Sequence, residues 1–127
     1  MKFPEFISKV AERTALPRDE ADAITRATLR TLGERITGGE ARDLAAQLPH
    51  ELQDSLASAP EEAEQFDLDE FIRRVAERAQ VAPGDARSGV SAVFQTVEEA
   101  VSFGEFDDVM AQLPDEFGAL AKPIILP

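Results

Sequence analysis

The chain has 127 residues, 43% of them hydrophobic, with no cysteine, tryptophan or tyrosine and a formal net charge of −12. That length suits one compact domain or two very small ones. The missing cysteines exclude disulfides and zinc–thiolate sites, and the acidity argues against direct binding to nucleic acid, which takes a basic patch, or to an anionic membrane.

The opening MKFPEFISKV carries Glu5 inside its apolar part and has no small-residue cleavage site, so it does not read as a secretory signal. No apolar run reaches the length of a membrane span. The expected location is the cytoplasm. Phe6, Ile7 and Val10 share one face at helical spacing and predict a first helix. A second starts near Pro17, whose fixed φ suits a first turn, with Asp19 and Glu20 beside the positive end of the dipole. Its core stripe is Thr25, Leu29, Leu32 and Ile36, and Gly38 and Gly39 are expected to stop it. Ala41, Leu44, Ala45 and Leu48 predict a third helix. Pro49 cannot continue that helix, but it suits the start of a fourth, in which Leu52 faces inward. ASAPEEAEQ, residues 57–65, reads as a linker.

Moved by 65 positions, the chain repeats itself. EFISKVAER at 5–13 falls on EFIRRVAER at 70–78, and GGEARDLAAQLPHEL at 38–52 falls on FGEFDDVMAQLPDEF at 103–117, with no gap between them. The second stripe is Val90, Phe94, Val97 and Val101, followed by Phe106, Val109, Met110 and Leu113, then Phe117. This is the signature of an internal duplication. A unit of about 55 residues buries too little surface to be stable alone. The expected fold is therefore all-α, with two copies of a four-helix unit packed about a pseudo-two-fold axis into one bundle. Their expected limits are residues 1–56 and 66–121, joined by the linker and followed by an apolar tail, KPIILP, at 122–127.

EFISKVAERTAL and TLGERITGGEARDLAAQLPHEL resemble the bacterial domain-of-unknown-function family number 2267. That family pairs an F-hydrophobic-x-x-V-A segment with an L-G-E-R-(I/L)-x-x-G-E-A-x-x-L-A-x-Q-L-P-x-E-L block, found here at 6–11 and 32–52. The second copy departs from it at VEEAV, 97–101, and at GEF, 104–106. The resemblance spans residues 3 to about 121. It implies an all-helical soluble protein of actinobacteria and their relatives, and carries no activity or catalytic residue to transfer.

Little in the sequence points to chemistry. His50 is the only histidine and reads as a solvated helix-start residue. TGGE lacks the lysine of a phosphate loop, and no serine sits in a G-x-S-x-G frame. Asp67, Asp69 and Glu70 fall short of a calcium loop and fit an N-cap instead. Asp107 and Asp108 are expected in the first turn of their helix, where the dipole favours them. Adjacent acids such as Glu98 and Glu99 point apart on a helix, against a paired-carboxylate hydrolase. No catalytic residue, cofactor or metal ligand is expected.

Charge separates the copies. Residues 1–60 carry eight basic and ten acidic side chains, and residues 61–127 carry five and fifteen. Arg26, Arg30, Arg35 and Arg42 become Ser91, Gln95, Ala100 and Asp107. One reading makes Asp22, Arg26, Arg30 and Glu34 a surface ladder. The other makes these arginines, with Asp107 and Asp108, an interaction surface for a protein partner, a basic one or a second copy of the chain. The expected function is thus a non-enzymatic interaction or regulatory module. The alternatives are a small ligand in a cleft lined by Phe94, Phe106, Met110 and Phe117, or an acidic decoy for a basic nucleic-acid-binding protein.

Overall fold

The computed structural model describes residues 1–57 and 59–121. The KPIILP tail lies outside them. The described residues form eight helices and no strand: α1 (Phe3–Thr14), α2 (Arg18–Arg35), α3 (Gly38–Gln47), α4 (His50–Ala57), α5 (Leu68–Ala79), α6 (Pro83–Ala100), α7 (Phe103–Ala111) and a closing 3-10 helix, α8 (Asp115–Ala121). None is long and apolar enough to cross a membrane.

The start of each helix follows from local chemistry. Asp67 accepts the Glu70 N–H at 2.9 Å and caps α5, as its sequence position suggests. Thr37 and Ser102 cap α3 and α7 by accepting the N–H groups of Glu40 and Glu105. Gly38 and Gly39 therefore open α3; α2 has already ended at Arg35. Pro49 and Pro114 turn the chain into α4 and α8. Asp107 and Asp108 sit past the first turn of α7, which begins at Phe103, so helix-dipole stabilisation does not account for them.

Packing is reciprocal: α1 lies against α6 and α5 against α2, while α2 meets α6 and α3 meets α7. The predicted stripes are buried, including Phe6, Ile7 and Val10 on α1, Leu29 and Leu32 on α2, and Phe71, Ile72 and Val75 on α5. At the α2–α6 crossing, Ile24 rests on Gly89, where a Cβ would overlap the isoleucine side chain. Phe71, Phe94 and Phe117 form one aromatic cluster with ring centroids 5.5–6.3 Å apart.

The polar braces come in pairs 65 positions apart. Arg13 donates to Thr96 Oγ1 at 2.8 Å, and Arg78 to Thr31 Oγ1 at 2.9 Å. Arg13 also meets Glu99 at 2.7 Å, as Arg78 meets Glu34. The Thr37 N–H donates to Gln112 Oε1 at 2.8 Å, and the Ser102 N–H to Gln47 Oε1 at 2.7 Å.

The segment after α4 is pinned. Gly38 donates its N–H to Glu61 O at 3.0 Å, and the Glu64 N–H bonds Glu34 O at 2.8 Å. A Cβ at Gly38 would lie 2.9 Å from Glu61 Cα, so this crossing requires glycine.

Candidate functional site

The six residues expected as an interaction surface do not form one surface. Arg35 is 5% exposed, with Nε donating to Phe66 O at 2.9 Å and a terminal nitrogen to Gln112 O at 3.3 Å. It is an internal brace, and the expectation that it faces a partner is corrected. Arg42 is exposed and committed to Glu61 at 2.5 Å, on the segment that crosses α3. The expected ladder also breaks midway. Arg26 pairs with Asp22, but Glu34 turns to Arg74 and Arg78 of α5 rather than to Arg30.

Arg26 and Arg30 instead line an open groove of about 560 Å³ between α2, α4 and α5, together with Arg78, Asp54 and Ser55. Arg26 donates to Glu51 O at 3.0 Å and Arg78 to Glu34. Arg30 makes no ion pair among the described residues.

The four residues proposed to line an apolar cleft are packing residues. Phe94, Phe106 and Phe117 are buried and Met110 half-buried. The void beside Phe94 and Phe106 measures about 10 Å³, room for no more than about one water. His50 is exposed at the start of α4.

The α3–α7 end of the bundle holds what sequence reasoning passed over. Thr37-x-x-Glu40 and Ser102-x-x-Glu105 both have the capping-box pattern, in which the glutamate normally reaches back to the N-cap N–H. Here each N-cap N–H is taken by a glutamine of the opposite helix. The two glutamates are released, and they meet. One carboxylate oxygen from each of Glu40, Glu105 and Asp108 lies within 4.8 Å of the other two. Glu105 is 8% exposed, and Glu40 Oε1 and Glu105 Oε2 are buried without a hydrogen-bond partner. Burial first, then a side-chain hydrogen bond with Glu40 and the negative charge of Glu40, Asp43 and Asp108, push the Glu105 carboxyl up to about 7.

The available signal for this cluster was the repeat register. Glu40 and Asp43 stand 65 positions before Glu105 and Asp108, as the acids common to both third helices. Phe103, beside the cluster at the start of α7, is 85% exposed. It stands 65 positions after Gly38, which Pro60 and Glu61 cover.

A family model described as Uncharacterized conserved protein (DUF2267) matches residues 3–120. No curated protein matches the chain.

Proposed function

The chain belongs to the DUF2267 family, and we propose that it acts there as a non-enzymatic protein–protein interaction module, a fused duplicate of one helical unit, that receives a basic partner on the α7 face. The carrying observation is Phe103. It presents an aromatic ring at 85% exposure, with exposed Asp107 one turn further along the same helix face. Gly104 beside it has no side chain to crowd the ring, and nothing lies within 4 Å of where its Cβ would be. An exposed aromatic among acids offers an anchor for an apolar pocket rimmed by arginine or lysine, with charge setting encounter and register. The acidity of residues 61–127 supports the same choice of partner. The pairing of braces at a constant offset supports the fused-duplicate reading, and the family resemblance supports a bacterial setting.

The test is capture of partners by the tagged chain from its own cell extract, beside Phe103→Ala, Asp107→Asn and a chain ending at Ala121. We expect a basic protein that is lost with Phe103→Ala and weakened by Asp107→Asn and by salt. Capture indifferent to both substitutions overturns the assignment of this face. Partner binding carried wholly by salt, with no dependence on Phe103, is the result expected of an acidic decoy.

A second reading rests on the groove lined by Arg26, Arg30 and Arg78. Arg30, which makes no ion pair among the described residues, favours a small anion there over a neutral ligand. Saturable binding of an inorganic or organic phosphate, abolished by Arg30→Ala, supports it.

A further inference from the structure

We propose that Glu40, Glu105 and Asp108, with Asp43 beside them, form a binding site for one hard divalent cation of the Mg²⁺, Mn²⁺ or Ca²⁺ class. Elsewhere, partly buried acids meet arginine: Glu34 has Arg74 and Arg78, and Glu70 has Arg73 and Arg74. Among the described residues the α3–α7 cluster has no such partner. The groups that act on Glu105 from its own helix and from α3 are Asp108, Glu40 and Asp43, all acidic.

Two ordinary explanations for a glutamate at this position fail. Glu40 and Glu105 are not closing capping boxes, because Gln112 and Gln47 hold the N-cap N–H groups. They are not wholly solvated surface acids either, because one oxygen of each, Glu40 Oε1 and Glu105 Oε2, is shut off from water with no hydrogen-bond partner among the described residues. A buried carboxylate without a partner is costly, and the cost is relieved by a proton or by a cation.

The geometry suits the cation. Oxygen ligands of Mg²⁺, Mn²⁺ and Ca²⁺ stand about 2.0–2.6 Å from the metal, so two on one ion lie within about 5 Å of each other. The three oxygens here fall within 4.8 Å. An all-carboxylate set with no nitrogen or sulfur suits hard ions rather than zinc or copper. Three protein ligands leave positions for water, which these ions retain readily. The ligands come from two helices, Glu40 from α3 and Glu105 and Asp108 from α7, so a bound ion ties α3 to α7.

The test titrates the full chain with Mn²⁺ at about pH 8, with free ion followed by electron paramagnetic resonance and ionic strength held constant with NaCl. Competition by Mg²⁺ and Ca²⁺ ranks the ions. We expect one saturable site, weakened at least ~10-fold in Glu105→Gln and in Asp108→Asn. Asp108 is exposed, so its variant reports on the site without disturbing the core. Uptake that does not saturate up to roughly 10 mM, or that is unchanged in both variants, overturns the site and leaves Glu105 neutralised by a shared proton.

Discussion

Arg78 of α5 grips Glu34 of α2 with two hydrogen bonds, 2.8 and 2.7 Å long, across 44 positions of sequence. The same guanidinium reaches Thr31 at 2.9 Å, so one side chain satisfies both a carboxylate and a buried hydroxyl. Both members of the ion pair are about three-quarters buried, which removes much of the solvent screening that weakens surface pairs.

Glu34→Gln should therefore destabilise the fold by about 1–2 kcal/mol near neutral pH. The bond to Arg78 holds the Glu34 carboxyl below its ordinary range. A depressed carboxyl contributes stability above its unfolded pKa and loses it as pH falls through its folded pKa. The gap between wild type and Glu34→Gln should thus close in acid. Urea unfolding at several pH values measures it.

Gly89→Ala should cost about 1–3 kcal/mol, because its methyl would enter the volume of Ile24. Ile24→Val trims that side chain, so the double variant should recover part of the loss. A double-mutant cycle in denaturant reads the coupling directly. Additive losses would mean that the two residues do not share this contact.

Glu105→Gln should change the pH dependence of stability more than its maximum. The Glu105 carboxyl is raised from 4.5 to about 7 by burial and by its acidic neighbours. Its contribution is full below the unfolded value and lost as pH rises through about 7. In metal-free buffer, the glutamine variant should be more stable than wild type above that pH, by about 1–3 kcal/mol. It should differ little in acid. Thermal melts of both proteins from acid to mildly alkaline pH decide it.

Arg35→Ala should destabilise by about 1–3 kcal/mol, through an orphaned Phe66 carbonyl and lost packing on the Phe66 ring. Arg30→Ala should change stability by less than about 0.5 kcal/mol, since Arg30 is exposed and makes no ion pair among the described residues. Equal effects would contradict the different burial of these two arginines.

Helical periodicity carries local information, and that part of the fold was legible. The stripes of Phe6, Ile7 and Val10 and of Phe71, Ile72 and Val75 placed α1 and α5 with their buried faces. Asp67 was readable, with Asp69, as a cap because the N–H it accepts lies only three residues away. Arg35 was misread because an arginine in a last turn normally meets solvent; only the approach of Phe66 and Gln112, from distant sequence, buries it. Glu40 and Glu105 look like N-terminal helix acids in any local window. Their meeting depends on α3 packing against α7 and on two glutamines taking over the N-caps, neither of which has a periodic signature.

Those glutamines bear on how the protein comes apart. The first backbone donor of α3 is satisfied by Gln112, and that of α7 by Gln47. Fraying of either helix end strips the other of its acceptor, and the segment clamped by Gly38 and Glu34 loses its track along α2 and α3. Amide exchange in the first four helices and in the last four should therefore open as one unit, with a shared free energy rather than two.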